Sequence, residues 1–284
     1  MKREKQTDFS NKQLPENRFQ QFFDLFKHRF LDILKISLLE AMFLMPFLAT
    51  VIMFYVFVRN SSTPNALFTV FLFQSVSMLI TIPVAYIGLI GVFTCFKKMV
   101  QADSEYTASS FFYGLKNDWY RGLVIGIFQG LSAALCLMGI FFFYFYPNVD
   151  GGFLPKEING LGIAVSVIQL IVVTMLSYHS LMQMVCYTNK LFYTIKNSFL
   201  ITLVRFPINL LLFIIHPGIF IALISIMEIT MYVGVVLILV LSGVSYLIWA
   251  LNLISAFDKF INKTYHPEIY RKGLLVIEEQ EEVK

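Results

Sequence analysis

Six apolar runs follow one another along this chain, at 31–58, 65–96, 122–146, 161–187, 200–225 and 231–257. Each has about twenty residues or more, the length that crosses roughly 30 Å of hydrocarbon. Backbone N–H and C=O groups find no water there, so a run of this kind must satisfy them internally as a helix. Composition agrees: 57% of the 284 residues are hydrophobic, 30 are Phe and only 14% are charged. A soluble core cannot hide that much apolar surface. The expected fold is an all-α integral membrane protein with six transmembrane helices. His216, Pro217 and Gly218 interrupt the fifth run, so a broken fifth helix is one reading of it.

Charge is distributed unevenly between the runs. Lys2, Arg3, Lys5, Lys12, Arg18, Lys27 and Arg29 precede the first, Lys97, Lys98, Lys116 and Arg121 follow the second, and Lys190 and Lys196 follow the fourth. Lys259, Lys263, Arg271 and Lys272 follow the sixth, whereas 59–64, 147–160 and the turn at Glu228 carry little positive charge. The positive-inside rule then places both termini in the cytoplasm, which an even number of spans requires. No short apolar segment with a small-residue cleavage site precedes the first run, so a retained N terminus is expected. Cys95, Cys136 and Cys186 stand singly in or beside apolar runs and read as reduced packing residues.

A nine-residue phrase recurs. "FFDLFKHRF" (22–30), "FFYGLKNDW" (111–119) and "LFYTIKNSF" (191–199) have large apolar residues at positions one, two, five and nine and Lys at position six. At 100° per residue the apolar set spans an arc of about 100°. Lys27, Lys116 and Lys196 stand beside that arc. Each copy therefore reads as an amphipathic elbow helix at the cytoplasmic interface, its Lys free to reach lipid phosphate. Three units follow, about 20–96, 109–188 and 190–260, each an elbow plus a helical hairpin, flanked by polar tails at 1–19 and 263–284. All start on one side, so they are parallel repeats related by an axis along the membrane normal. The plainer explanation, that aromatics and Lys recur wherever a span begins, is the weaker alternative, because the match extends over nine positions in register.

Thirteen residues beyond each Lys stand Glu40, Gln129 and Asn209, so one repeat position is polar in all three copies. That is about 20 Å along an upright helix, near the bilayer middle. The returning helices echo this with Tyr86, Tyr178 and Tyr246. A carboxylate at that depth costs about 2.5 to 3.5 kcal/mol and asks for a partner. Either Arg205, one turn from Asn209, pairs with Glu40, or the carboxyl is carried neutral. The trio reads as interhelical hydrogen-bonding glue or as a solute or proton site. Gln74, Gln169, His179, Gln183 and Asn252 are further candidates for the same interior, and Pro46, Pro83, Pro207 and Pro217 for kinks.

Several chemistries find no support. There is no Gly-rich nucleotide loop, H-E-x-x-H pair or G-x-S-x-G elbow. His179 and Gln183 share a helix face without a second ligand at metal spacing. No enzyme activity, cofactor, metal or nucleic-acid partner is expected. Mitochondrial carriers also build three helix pairs, but their odd helices follow Pro with an acidic and a basic residue, which Pro46 and Pro207 lack.

The stretch "GVFTCFKKMVQADSEYTASSFFYGLKNDWYRGLVIG" (91–126) resembles the central signature of the YesL-like family, a domain of unknown function found in bacterial, mostly Firmicute, membranes. Residues 187–207 and "AFDKFI" (256–261) are similar to its later segments. The resemblance implies a multi-pass protein of the bacterial plasma membrane, whose relatives are often encoded beside carbohydrate ABC transporters and polysaccharide-degrading enzymes. It supplies no active-site residues. The "EAA...G" loop by which importer permeases dock their ATPase is missing from 101–121. The expectation is therefore a non-enzymatic accessory or regulatory component of carbohydrate uptake, with a carbohydrate ABC transporter or sensor protein as partner. The alternative is a small-solute transporter or channel using the Glu40, Gln129 and Asn209 level.

Overall fold

The structure, a computed structural model, describes residues 14–103, 107–145, 156–214 and 228–275, without the side chains of 145, 156–157 and 228–241. Regular structure among the described residues is entirely helical. α1 (Arg18–Asn60) begins where the Asn17 side chain accepts the Gln20 N–H, and it kinks once, at Arg29. α2 (Pro64–Val100) starts behind Thr63, which caps the Ala66 N–H, with Pro64 in the first turn where no N–H is needed. α3 (Thr107–Ile140) runs on into a π-helical turn, Phe141–Phe145. α4 is Lys156–Cys186. α5 (Leu191–Val204) and α6 (Phe206–Phe213) meet at Arg205 with a bend of 89°. α7 (Glu228–Phe257) continues through a π-helical turn, Asp258–Asn262, into the single turn α8 (Lys263–Tyr265).

Among the described residues five helices are long and apolar enough to cross a membrane, and the bent α5–α6 pair makes a sixth if it is one span. The chain is thus an all-α, multi-pass membrane protein. The described part of the fifth run is broken at Arg205, and the expected interruption at His216–Gly218 lies outside the described residues. Pro207 explains it: lacking an N–H and clashing with the carbonyl one turn back, it cannot continue α5. Pro46 and Pro83 lie inside α1 and α2, which continue through them.

The returning helices α2, α4 and α7 touch one another. Around them α1 lies against α7 and α2, α3 against α2 and α4, and α5 and α6 against α4. Phe93, Leu181, Met182, Leu247 and Trp249, all on the three inner helices, are 0–1% exposed. The α2–α3 pair is the most extensive contact in the molecule, and glycine makes it possible. Gly122, Gly126 and Gly130 form a stripe at intervals of four along α3. A Cβ on them would stand 2.7 Å from Tyr86 O, 2.6 Å from Pro83 Cα and 2.9 Å from Met78 O. Backbones can approach this closely in a membrane only where side chains are absent.

The three elbow stretches do not share one backbone. The first is set off by the kink at Arg29, the second runs straight into α3, and the third ends in the Arg205 bend. Four of their nine positions nevertheless share the same exposure. Position four faces the protein in each, as Leu25, Gly114 and Thr194, while positions two and nine face outward as Phe23, Phe112 and Phe192, and Phe30, Trp119 and Phe199. Lys27, Lys116 and Lys196 are exposed.

Candidate intramembrane polar site

Tyr86 on α2, Tyr178 on α4 and Tyr246 on α7 converge where the inner helices meet, each only 6–7% exposed. The Tyr178 and Tyr246 rings stand edge to face at 6.1 Å, Phe93 contacts them at 6.1 and 6.3 Å, and Trp249 packs 5.2 Å from Tyr178. Such T-shaped pairs contribute about 0.5–1.5 kcal/mol each beyond the area they bury. Aromatic rings thus fill the space between α2, α4 and α7 at this level.

Glu40 reaches this cluster from α1 and is 1% exposed. The side chains of Ser242 and Tyr246 approach its carboxyl, although neither carboxyl oxygen has a hydrogen bond of good geometry. Gln129, on α3, is fully engaged with α4: its Nε2 donates to Thr174 Oγ1 at 2.8 Å and its Oε1 accepts from Ser177 Oγ at 3.2 Å. Ser177 also faces the Tyr86 hydroxyl, so it joins Gln129 to the tyrosine cluster.

Asn209 belongs to a separate network. Its Oδ1 accepts from Asn252 Nδ2 at 3.2 Å, and Arg205 Nη1 donates to Asn252 O at 2.9 Å and Oδ1 at 3.1 Å. The expected Glu40–Arg205 pair is therefore corrected. The 89° bend aims Arg205 at the carbonyl and amide oxygens of Asn252, while Glu40 faces Ser242 and Tyr246. Those positions lie about 9 to 15 Å away along α7. The trio is buried throughout but divides into two places rather than forming one ring.

The remaining polar candidates are spread over the bundle. Gln169 Nε2 donates to Ser132 Oγ at 2.8 Å, Gln183 Oε1 accepts from Ser198 Oγ at 2.7 Å, and His179 Nδ1 lies 2.9 Å from Met175 O. Gln74 is 1% exposed with neither amide atom bonded. Among the described residues no group of His, Cys, Asp and Glu has the arrangement of a metal site. Among the described residues four cavities of about 280 to 640 Å³ open at the surface; the trio and the three tyrosines line none of these, while Ser177 lines one together with Gln169 and Ser132.

Sequence reasoning missed a second polar assembly, at the basic end of the bundle. Arg18 and Asp258 form an ion pair of 2.7 Å with side chains 10% and 9% exposed. Asp258 Oδ1 also accepts from Asn262 Nδ2 at 2.8 Å, and Asn262 Oδ1 accepts from the Tyr187 hydroxyl. Gln21 Nε2 donates to Val100 O and Gly273 O, at 2.8 and 3.1 Å, tying α1 to the end of α2 and to the closing turn. Gly273 needs its freedom there, with φ +82° and a hypothetical Cβ 2.1 Å from Val100 O. Nearby, the exposed Glu268 carboxyl is held below its ordinary range, first by its own backbone N–H and then by His266. Lys97 and Arg121 donate to Val185 O and Met184 O, at 2.8 and 3.2 Å, which caps the open carbonyls of α4. The i, i+4 spacing of Asp258 and Asn262, apart from the lysines between and after them, was the available signal. Comparison with family models, with curated proteins and with solved structures finds no match for this chain.

Proposed function

We propose that the chain is a non-enzymatic accessory or regulatory protein of the bacterial plasma membrane, associated with carbohydrate uptake or utilisation, with both termini in the cytoplasm. The observation that carries the non-transporting part is the filled axis: Tyr86, Tyr178, Tyr246, Phe93 and Trp249 occupy the place where a passage would run. A transporter needs a wetted route to its polar residues, whereas an accessory protein can hold a dry seam. The carbohydrate setting and the plasma membrane rest on the YesL-like resemblance, and the orientation rests on the basic residues clustered at one end. The chain is read as three parallel elbow-and-hairpin units, a reading supported by the meeting of Tyr86, Tyr178 and Tyr246 and by the shared inward position of Leu25, Gly114 and Thr194. Crosslinking the protein in its own membranes and identifying what it captures tests the role. A carbohydrate transporter subunit or sensor is expected, and capture of neither counts against it.

A second reading, a small-solute transporter, is favoured by one observation: the Glu40 carboxyl lies deep in the bundle without a well-formed hydrogen bond. Proteoliposomes decide between the two. Solute or proton flux that Glu40→Gln abolishes supports transport, and flux indifferent to that change removes Glu40 from the role.

A further inference from the structure

Two of the surface cavities are neighbours that share walls. One, about 640 Å³, is lined by Glu16, Arg18, Asp258, Lys259, Lys263 and Arg271 among others. The other, about 360 Å³, is lined by Phe19, Phe22, Phe23, Ile248 and Leu251 together with Arg18, Asn252 and Ser255. Arg18, Phe19 and Ser255 line both, so a charged cleft opens into an apolar groove between the start of α1 and the end of α7.

The charges in the cleft are not balanced. Arg18 is committed to Asp258 at 2.7 Å. Among the described residues that leaves Lys259, Lys263 and Arg271 against Glu16, and Arg271 Nη2 spends itself on a backbone carbonyl, Glu16 O, rather than on the Glu16 carboxylate. Lys259 and Lys263 are exposed and one helical turn apart, each next in the helix to a buried polar residue, Asp258 or Asn262. Phe19 is 75% exposed and Phe23 55%, at the level where amphipathic side chains meet lipid headgroups.

We propose that this paired cleft and groove bind one anionic phospholipid, with Lys259, Lys263 and Arg271 holding the phosphate and an acyl chain lying along Phe19, Phe22, Ile248 and Leu251. The two volumes fall in the range of small-molecule sites. Basic pockets between membrane helices select anionic headgroups by charge, while the groove supplies the apolar contact that a free anion does not use. The lipid would stitch the elbow of α1 to the π-helical turn after α7, beside the Arg18–Asp258 pair.

Native mass spectrometry of the full chain released from detergent micelles tests this, with phosphatidylglycerol, phosphatidylcholine and inorganic phosphate as separate probes. One phosphatidylglycerol is expected to be retained at least tenfold better than phosphatidylcholine, and inorganic phosphate in tenfold excess is expected not to displace it. Lys259→Gln with Lys263→Gln should lower retention by about tenfold without shifting thermal unfolding, since both side chains are exposed. Phe19→Ala, which leaves every charge in place, should lower it by a few-fold. Equal retention of the two lipids, unchanged retention in both variants, or displacement by phosphate at tenfold excess would overturn the proposal, the last by reducing the cleft to a free-anion site.

Discussion

Tyr178 and Tyr246 meet edge to face, centroids 6.1 Å apart, with Phe93 against both rings and Trp249 against Tyr178. They come from α4 and α7, helices whose contact with each other is otherwise slight. Tyr178→Ala removes the ring on which three others pack, and truncating a buried aromatic costs about 3–5 kcal/mol. A loss of that order is expected in reversible unfolding in mixed micelles, with Tyr178→Phe costing about 1 kcal/mol or less.

The α3 glycine stripe makes an opposing pair of predictions. Gly126→Val places a branched side chain against Pro83 Cα, 2.6 Å from where its Cβ would stand, and is expected to separate α2 from α3 at a cost of about 1–3 kcal/mol or more. Gly160→Ala meets nothing within 4 Å and is expected to be neutral or slightly stabilising in the helix, as the same unfolding measurement will register.

The buried Arg18–Asp258 pair predicts an asymmetry. Removing one partner leaves an uncompensated charge, so Asp258→Asn or Arg18→Met should each cost about 3–5 kcal/mol. Replacing both by apolar residues should recover much of that loss. A double-mutant cycle measured by chemical unfolding gives the coupling.

Glu40 predicts tolerance of a neutral shape mimic. Glu40→Gln retains volume and hydrogen-bonding capacity and sheds any charge, so it should unfold no earlier than the parent chain. Glu40→Lys forces a cation into the same enclosed place and is expected to prevent stable folding, read as loss of monodisperse protein in size-exclusion chromatography.

The spans were legible because hydrocarbon thickness imposes their length on the sequence, and the tyrosine echo pointed to a real convergence. Other relationships were not. Arg205 was the available cation for Glu40 in sequence, but Pro207 bends the chain and gives it to Asn252. The residue thirteen beyond each of Lys27, Lys116 and Lys196 is buried, yet Glu40 and Gln129 engage the tyrosine side while Asn209 engages Asn252. Sequence spacing sets depth along a helix, whereas the neighbouring helix sets the partner. The Gly122, Gly126 and Gly130 stripe was readable from its spacing of four and was overlooked. The Gln21 and Asp258 contacts join residues far apart in sequence, which local patterning does not report.

The account stands or falls on whether the axis is dry. Ser242, 2% exposed and beside Glu40, is a small residue at that place and lines none of the four cavities. Thiols react with water-soluble methanethiosulfonate reagents as thiolates, which need water. Ser242→Cys should label no faster than the parent chain, whose own three cysteines set the background, while Lys116→Cys, at an exposed position, should label readily. Labelling of Ser242→Cys at a rate comparable to Lys116→Cys would contradict the packed axis and favour a water-filled route.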